Sequence, residues 1–413
     1  MKQQKITLLT SIGAGLEYYD LVIYSLLAKF ISQQFFPGTS QAASLFAAFS
    51  VFALGSVVRP LGGVIFGIFG DRFGRKNVFA NTLLWMSIAT FLMGVTPTFA
   101  TIGIAATVIF SLCRIVQGMV FGGELPGALT MLAEHIDVKQ HGFYFGFMTS
   151  ALTLGVLLGS FISWLLTKIL SDAQILAWGF RLPFLFGGIL AVVGFYIRRH
   201  VPETPAFLAQ QQRGQGNKIS FAVVKKHIWK ILNIVGVLLL SNCFIVFFLT
   251  LPVYFQEAYN YKFSDIYLAL TCGYIWSVVI LPILGKVSDT IGRKVFLIWS
   301  SILMIVFGFP IFSLLQSGSL VALFGFVIFG QTLIAAMSVN YFVLLPRIFP
   351  TAIRYTGTAV GYNIALMLST VTPLVANYVY MVLKKPHYMA WFFLVLSVIT
   401  IISTLCLRRL QDN

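Results

Sequence analysis

The chain has little charge and less acid. Of its 413 residues 10% are charged, and only 12 are Asp or Glu against 28 Lys and Arg. No hydrophilic stretch is long enough to fold as a soluble domain; the longest runs over residues 198–228, "RRHVPETPAFLAQQQRGQGNKISFAVVKKH". Cysteine is scarce. Cys113, Cys243, Cys272 and Cys406 all fall in apolar runs, with the spacing of neither a disulfide framework nor a metal site. The five histidines lie in expected loops, so neither a zinc centre nor a histidine proton relay is expected. Nucleophile–base pairs and phosphate-cradling loops are missing too, so the chain does not read as an enzyme.

Apolar sequence fills the space left by these absences. Hydrophobic residues make up 58% and mean hydropathy is +0.91. A soluble fold of this size has no interior large enough for them. Lipid offers no partners to open backbone groups, so long apolar runs must close their hydrogen bonds as helices. The expected fold is all-α and membrane-spanning, with twelve transmembrane helices near 8–34, 43–69, 78–97, 102–125, 142–168, 176–197, 229–255, 263–285, 295–315, 319–345, 355–382 and 388–407. Most Lys and Arg then fall on the side that holds both termini, which the positive-inside rule assigns to the cytoplasm. The net charge of +16 is therefore a topology signal, and no nucleic-acid partner is expected. A cleavable leader is not expected, because Glu17 and Asp20 interrupt the first apolar run.

The chain repeats itself. "GIFGDRFGRKN" follows the second span and "GKVSDTIGRKV" the eighth. Gly67, Asp71, Gly74, Arg75 and Lys76 recur as Gly285, Asp289, Gly292, Arg293 and Lys294, each 218 residues later. A six-helix unit used twice marks secondary transporters, whose substrate sits near the membrane midplane. The expected division is 1–198 and 229–413 as two six-helix bundles, joined by a cytoplasmic linker at 199–228.

The loop G-x-x-x-D-R-x-G-R-K resembles the signature of the major facilitator superfamily. "LEYYD" (16–20), "RPLGG" (59–63), "CRIVQGMVFGGE" (113–124), "WGFRLPF" (178–184), "PETPAF" (202–207) and "RYTGTAVGYNIA" (354–365) follow in order. Together they resemble the metabolite–proton symporters of that superfamily, which include transporters of proline and betaine, shikimate, α-ketoglutarate and citrate. Departures include Ala14 after Gly13, "STVTP" at 369–373, His141-Gly142 opening span 5, and Leu125-Pro126 after the glycine pair. The resemblance implies a multi-pass protein of the bacterial inner membrane that works by alternating access, has no cofactor, and uses the proton as coupling ion. A monomer with a small-molecule substrate is expected.

Two acids and two arginines share the middle of the first half. At ~1.5 Å per residue, Glu17, Asp20, Arg59 and Arg114 lie ~14–18 Å from the inner end of their helices. A carboxylate at the centre of a membrane helix costs ~3 kcal/mol, so its presence argues for a role. Asp20 is the first candidate for proton coupling and Glu17 the second. Arg114 is the candidate for gripping an anionic group, because guanidinium stays charged and bonds a carboxylate twice. Tyr19, Gln117, Tyr362 and Asn363 complete the expected substrate contacts. Arg59 reads as one partner in a buried ion pair, and a static network such as Glu17 with Arg59 is the structural alternative for these charges. A conformational latch is expected from Gly67, Asp71, Arg72, Gly74, Arg75, Lys76, Glu124, Glu203, Asp289 and Arg293. The leading function is proton-driven import of a small organic acid. A zwitterion such as an amino acid or betaine is the alternative substrate, and a non-transporting nutrient sensor is the alternative of another class.

Overall fold

The computed structural model describes residues 2–199, 201–212 and 226–411. Residues 200 and 213–225 of the expected linker, 199–228, lie outside the described residues. Among the described residues the chain is helical throughout, without a strand. Its long helices are α1 (Lys2–Leu26), α2 (Ala43–Phe73), α3 (Arg75–Val95), α4 (Ile104–His135), α5 (His141–Ile169), α6 (Arg181–Arg199), α7 (Ile228–Tyr259), α8 (Phe263–Ile291), α9 (Arg293–Leu314), α10 (Leu320–Ile348), α11 (Thr351–Met381) and α12 (Met389–Gln411). Among the described residues eleven stretches are each long and apolar enough to cross a membrane. The twelfth is a bent pair, Asp172–Gly179 and the start of α6, meeting at 43°. A π-turn over Ile175–Gly179 makes the bend, where the run towards Pro183 cannot keep regular i→i−4 bonding.

Proline also breaks α2 and α11. Regular helix stops at Val57 and restarts at Arg59 with Pro60 in its first turn; in α11 it stops at Ser369 and restarts at Thr372 with Pro373 there. The first turn of a helix tolerates proline because its N–H would have no helical partner. Helix α4 runs to His135, ten residues beyond its expected end, because the glycines at 122, 123 and 127 and Pro126 are accommodated inside it.

The chain forms two compact units. The first comprises residues 1–135, 151–219 and 351–359; the second comprises 136–150, 220–350 and 360–413. Helices α5 and α11 thus each contribute to both. The first unit is held by an aromatic cluster in which Phe35 stacks on Phe110 at 4.2 Å beside Tyr19, Tyr24, Phe180 and Phe184. In the second, Phe244, Phe247, Phe312, Phe326 and Phe393 meet mostly edge to face, with Phe244 and Phe393 4.7 Å apart. Glycines let helices approach closely: Gly55, Gly62 and Gly63 of α2 lie against Gly118, Met119 and Gly122 of α4, with no room for a Cβ at Gly62, Gly118 or Gly122.

Candidate functional site

The site in the first unit is built on α1, α3 and α4. Asp20 and Arg114 are both at least 95% buried, yet no ion pair within 4 Å joins them. Two neutral side chains connect them. Arg114 Nη1 donates to Gln117 Oε1 at 3.0 Å, Gln117 Nε2 donates to Thr90 Oγ1 at 2.8 Å, and Thr90 donates to Asp20 Oδ2 at 2.7 Å. Every donor points the same way, towards the Asp20 carboxylate. Asp20 Oδ1 has no hydrogen-bond partner. The Arg114 guanidinium lies between the rings of Tyr24 and Phe52, at 4.7 and 4.5 Å from their centroids. This aromatic clamp fixes the cation without neutralising it. Tyr24 is itself held by a 2.8 Å bond to the Ala48 carbonyl. A narrow crevice lined by Gly55, Arg59, Met86, Arg114, Gln117 and Phe121 opens beside this chain.

The other residues singled out from the sequence take these places. Tyr19 is fully buried, its hydroxyl donating to the Pro183 carbonyl at 3.1 Å. Arg59 lies over the Phe121 ring at 4.0 Å. Glu17 is buried beside Asp20 on α1. Tyr362 and Asn363 belong to the second unit, both buried on α11, with Tyr362 tilted against Phe342.

The repeated loops cap helices. In the first unit Asp71 accepts the N–H groups of Tyr355 (3.1 Å) and Thr356 (2.8 Å) and the Thr356 hydroxyl (2.8 Å), all in the first turn of α11's long helical segment, Arg354–Ser369. In the second unit Asp289 accepts the N–H groups of Gly142 (2.8 Å) and Phe143 (3.1 Å) at the start of α5. Each carboxylate fills two orphan donors at the positive end of a helix dipole. Gly67 lets α11 approach, since a Cβ there would stand 2.7 Å from Thr356 Cα. Gly74 and Gly292 have φ of 105° and 108°, which only glycine adopts without strain, and each turns the chain into the next helix. Arg75 pairs with Glu134 at 3.0 Å and donates to the Thr351 carbonyl at 2.7 Å; Arg293 donates to Asp289 at 2.8 Å and to the Val138 carbonyl at 3.0 Å. Glu203 accepts the N–H groups of Arg75 and Lys76 at 3.2 Å, capping α3. Arg72 is exposed over Phe73.

Glu124 keeps other company. Its carboxylate takes Arg198 and the Thr82 hydroxyl, whereas Glu134 meets Arg75 and also Arg354, at 2.9 Å. Glu134, Arg198, Arg354 and Thr90 are not among the candidates that the sequence marks. Glu134 lies beyond the expected end of α4, and Arg198 stands among the basic residues that set topology. Thr90 carried no signal, being one hydroxyl in an apolar span.

Asp71→Asn is expected to slow turnover several-fold while leaving substrate binding almost unchanged, since one charge at a helix start contributes ~0.3–2 kcal/mol. Uptake rate and ligand-induced thermal stabilisation, measured on the same preparation, separate the two; unchanged turnover would count against a latch.

The profile of the Major Facilitator Superfamily matches residues 10–371. The proline/betaine transporter of Salmonella typhimurium is 31% identical over 428 aligned positions that cover 100% of this chain and 85% of the relative. A glycine betaine/proline/ectoine/pipecolic acid transporter of Dickeya dadantii is 31% identical, over 98% of this chain and 83% of its own length. A putative metabolite transport protein of Haemophilus influenzae reaches 34% over 88% and 84%. Among solved structures, the proton:xylose symporter XylE bound to 6-bromo-6-deoxy-D-glucose has the same fold, with a TM-score of 0.80 at 18% identity over 99% of this chain and 96% of that one. The chain is therefore a multi-pass bacterial inner-membrane transporter, not an enzyme, and it belongs to the major facilitator superfamily, among relatives that include the proline/betaine and metabolite transporters.

Proposed function

We propose that the protein is a proton-coupled symporter that imports a small carboxylate-bearing metabolite, with both termini in the cytoplasm. The observation that carries this reading is the one-way chain Arg114–Gln117–Thr90–Asp20. Arg114 is charged and clamped, and its Nε has no hydrogen-bond partner, so it can receive a carboxylate. Asp20 is linked to Arg114 without being locked to it. An anion on Arg114 withdraws the donor that orients Gln117, Thr90 loses its fixed direction, and Asp20 is held as a carboxylate less firmly. Substrate binding and proton uptake on Asp20 then favour each other, which is what symport requires. The proton is the only coupling ion in this reading.

Two substrate classes carry a carboxylate. A zwitterion such as proline or betaine is favoured by the names of the relatives, while a small organic acid rests on Arg114 alone. A thermal-shift screen of the purified protein against proline, glycine betaine, citrate, shikimate and α-ketoglutarate distinguishes them. A ligand at 100 times its Kd adds about 2.7 kcal/mol of stability. Stabilisation is expected from a carboxylate-bearing compound and is expected to be lost in Arg114→Ala; a hit that survives Arg114→Ala would remove Arg114 from the substrate site. Binding without pH-driven flux in proteoliposomes would favour a sensor.

A further inference from the structure

Glu17 is 1% exposed, and neither of its carboxylate oxygens has a hydrogen-bond partner. The charged and titratable groups that face it are Glu124 from α4, Arg198 from α6, Arg59 from α2 and Asp20 on its own helix, with the Tyr355 phenol of α11 beyond. Of the two glutamates, Glu124 is the supplied one: it holds the Arg198 ion pair and accepts the Thr82 hydroxyl. Arg198 is fastened on one edge only. Its Nη1 serves Glu124 and the Phe79 carbonyl, and its Cζ lies 3.8 Å from the Phe79 ring centroid. Its Nε and Nη2 have no partner. Those two atoms rest against Gly13, one turn before Glu17 on α1, where a Cβ would overlap them. The unused edge of the guanidinium and the unsupplied carboxylate thus occupy adjacent turns of one helix.

A buried carboxylate needs donors on both oxygens, whereas a protonated carboxyl asks for one acceptor at most. We propose that Glu17, Glu124 and Arg198 form a second proton-binding site, on the N-terminal side of Asp20, in which Glu17 carries the proton and the two glutamates compete for one guanidinium. When Glu17 releases its proton to water, the charge left on it draws Nε and Nη2 of Arg198 across Gly13. Glu124 keeps only the Thr82 hydroxyl, and α1 becomes tied to the end of α6. Rebinding of the proton returns Arg198 to Glu124. The site extends the proton-coupled reading above, and it rests on that reading's premise that protons enter this part of the protein.

Infrared pH titration of the full-length protein in lipid nanodiscs tests the site with the proton itself as probe and no substrate. Carboxylic acid C=O bands disappear as pH rises; Glu17→Gln is expected to remove one of them and Asp20→Asn another. If Glu17→Gln leaves the bands unchanged, Glu17 is a permanently ionised partner, for instance of Arg59, and the proposal falls. If only Asp20→Asn is silent, the second site stands and the Asp20 reading falls. Competition is tested by Glu124→Gln, which leaves Arg198 to Glu17 and should lower the midpoint of the Glu17 band by about one pH unit or more. Arg198→Lys keeps a cation for Glu124 but removes the second donor edge, and should raise that midpoint. A midpoint unmoved in both variants overturns the competition.

Discussion

Asp20→Asn is expected to abolish proton-driven accumulation in proteoliposomes while leaving substrate exchange intact. One pH unit carries about 1.4 kcal/mol per proton, enough for a roughly tenfold accumulation if one proton moves with each substrate. The variant should reach a ratio of about one. Asparagine has nearly the shape of aspartate and still offers an oxygen to the Thr90 hydroxyl, so the link through Thr90 and Gln117 to Arg114 can persist. What it loses is the capacity to bind and release a proton. Counterflow, in which labelled substrate exchanges across the membrane without net proton movement, should therefore continue. Retained accumulation would remove Asp20 from coupling. Loss of counterflow together with accumulation would mean that Asp20 supports the architecture of the site and not its proton traffic.

Gly118→Val should be among the most damaging single apolar substitutions in the first unit. A Cβ at Gly118 would overlap the Gly55 carbonyl oxygen and stand 2.7 Å from the carbonyl carbon behind it. Both are backbone, so no rotamer change relieves the contact, and α2 and α4 must separate. Overpacking typically costs about 1–3 kcal/mol, and a clash with backbone that no rotamer relieves belongs at the upper end. The position also sits next to Gln117 and one turn after Arg114, so separation of the helices misplaces both. The expected result is a large fall in the yield of monodisperse protein and in heat resistance, with loss of uptake in whatever folds. Gly325→Val is the control: nothing lies within 4 Å of a Cβ there, and its effect should be within about 0.5 kcal/mol. Equal behaviour of the two variants would show that close approach of α2 and α4 is not what holds the site.

Local rules made the helices legible. Apolar length, proline position and the two glycines with positive φ can be read from a few neighbouring residues. The repeat was legible for the same reason: Asp71 and Asp289 stand in matching strings, and each caps a helix start. The identity of the capped helix was not legible, because it lies 285 residues along the chain for Asp71 and 147 back for Asp289. The errors also have local causes. The expected end of α4 at 125 falls just before Pro126, a residue that usually breaks a soluble helix, yet the helix runs on to His135. In a tightly packed membrane helix the neighbouring helices satisfy what proline frees. That early end hid Glu134, the partner of both Arg75 and Arg354.

Sequence alone determined that this chain crosses the membrane as helices, and from it come the expectations that a six-helix unit is repeated and that four charges of the first half share one depth. Depth follows from a constant rise per residue, and hydropathy from composition, so neither needs the fold. Tertiary structure alone decided which of those charges meet. The facing of each helix is set by where glycines allow backbones to touch, and those contacts come from residues far apart in the chain. Packing therefore placed Thr90 and Gln117 between Asp20 and Arg114, gave Arg198 to Glu124, and left Glu17 without a hydrogen-bond donor.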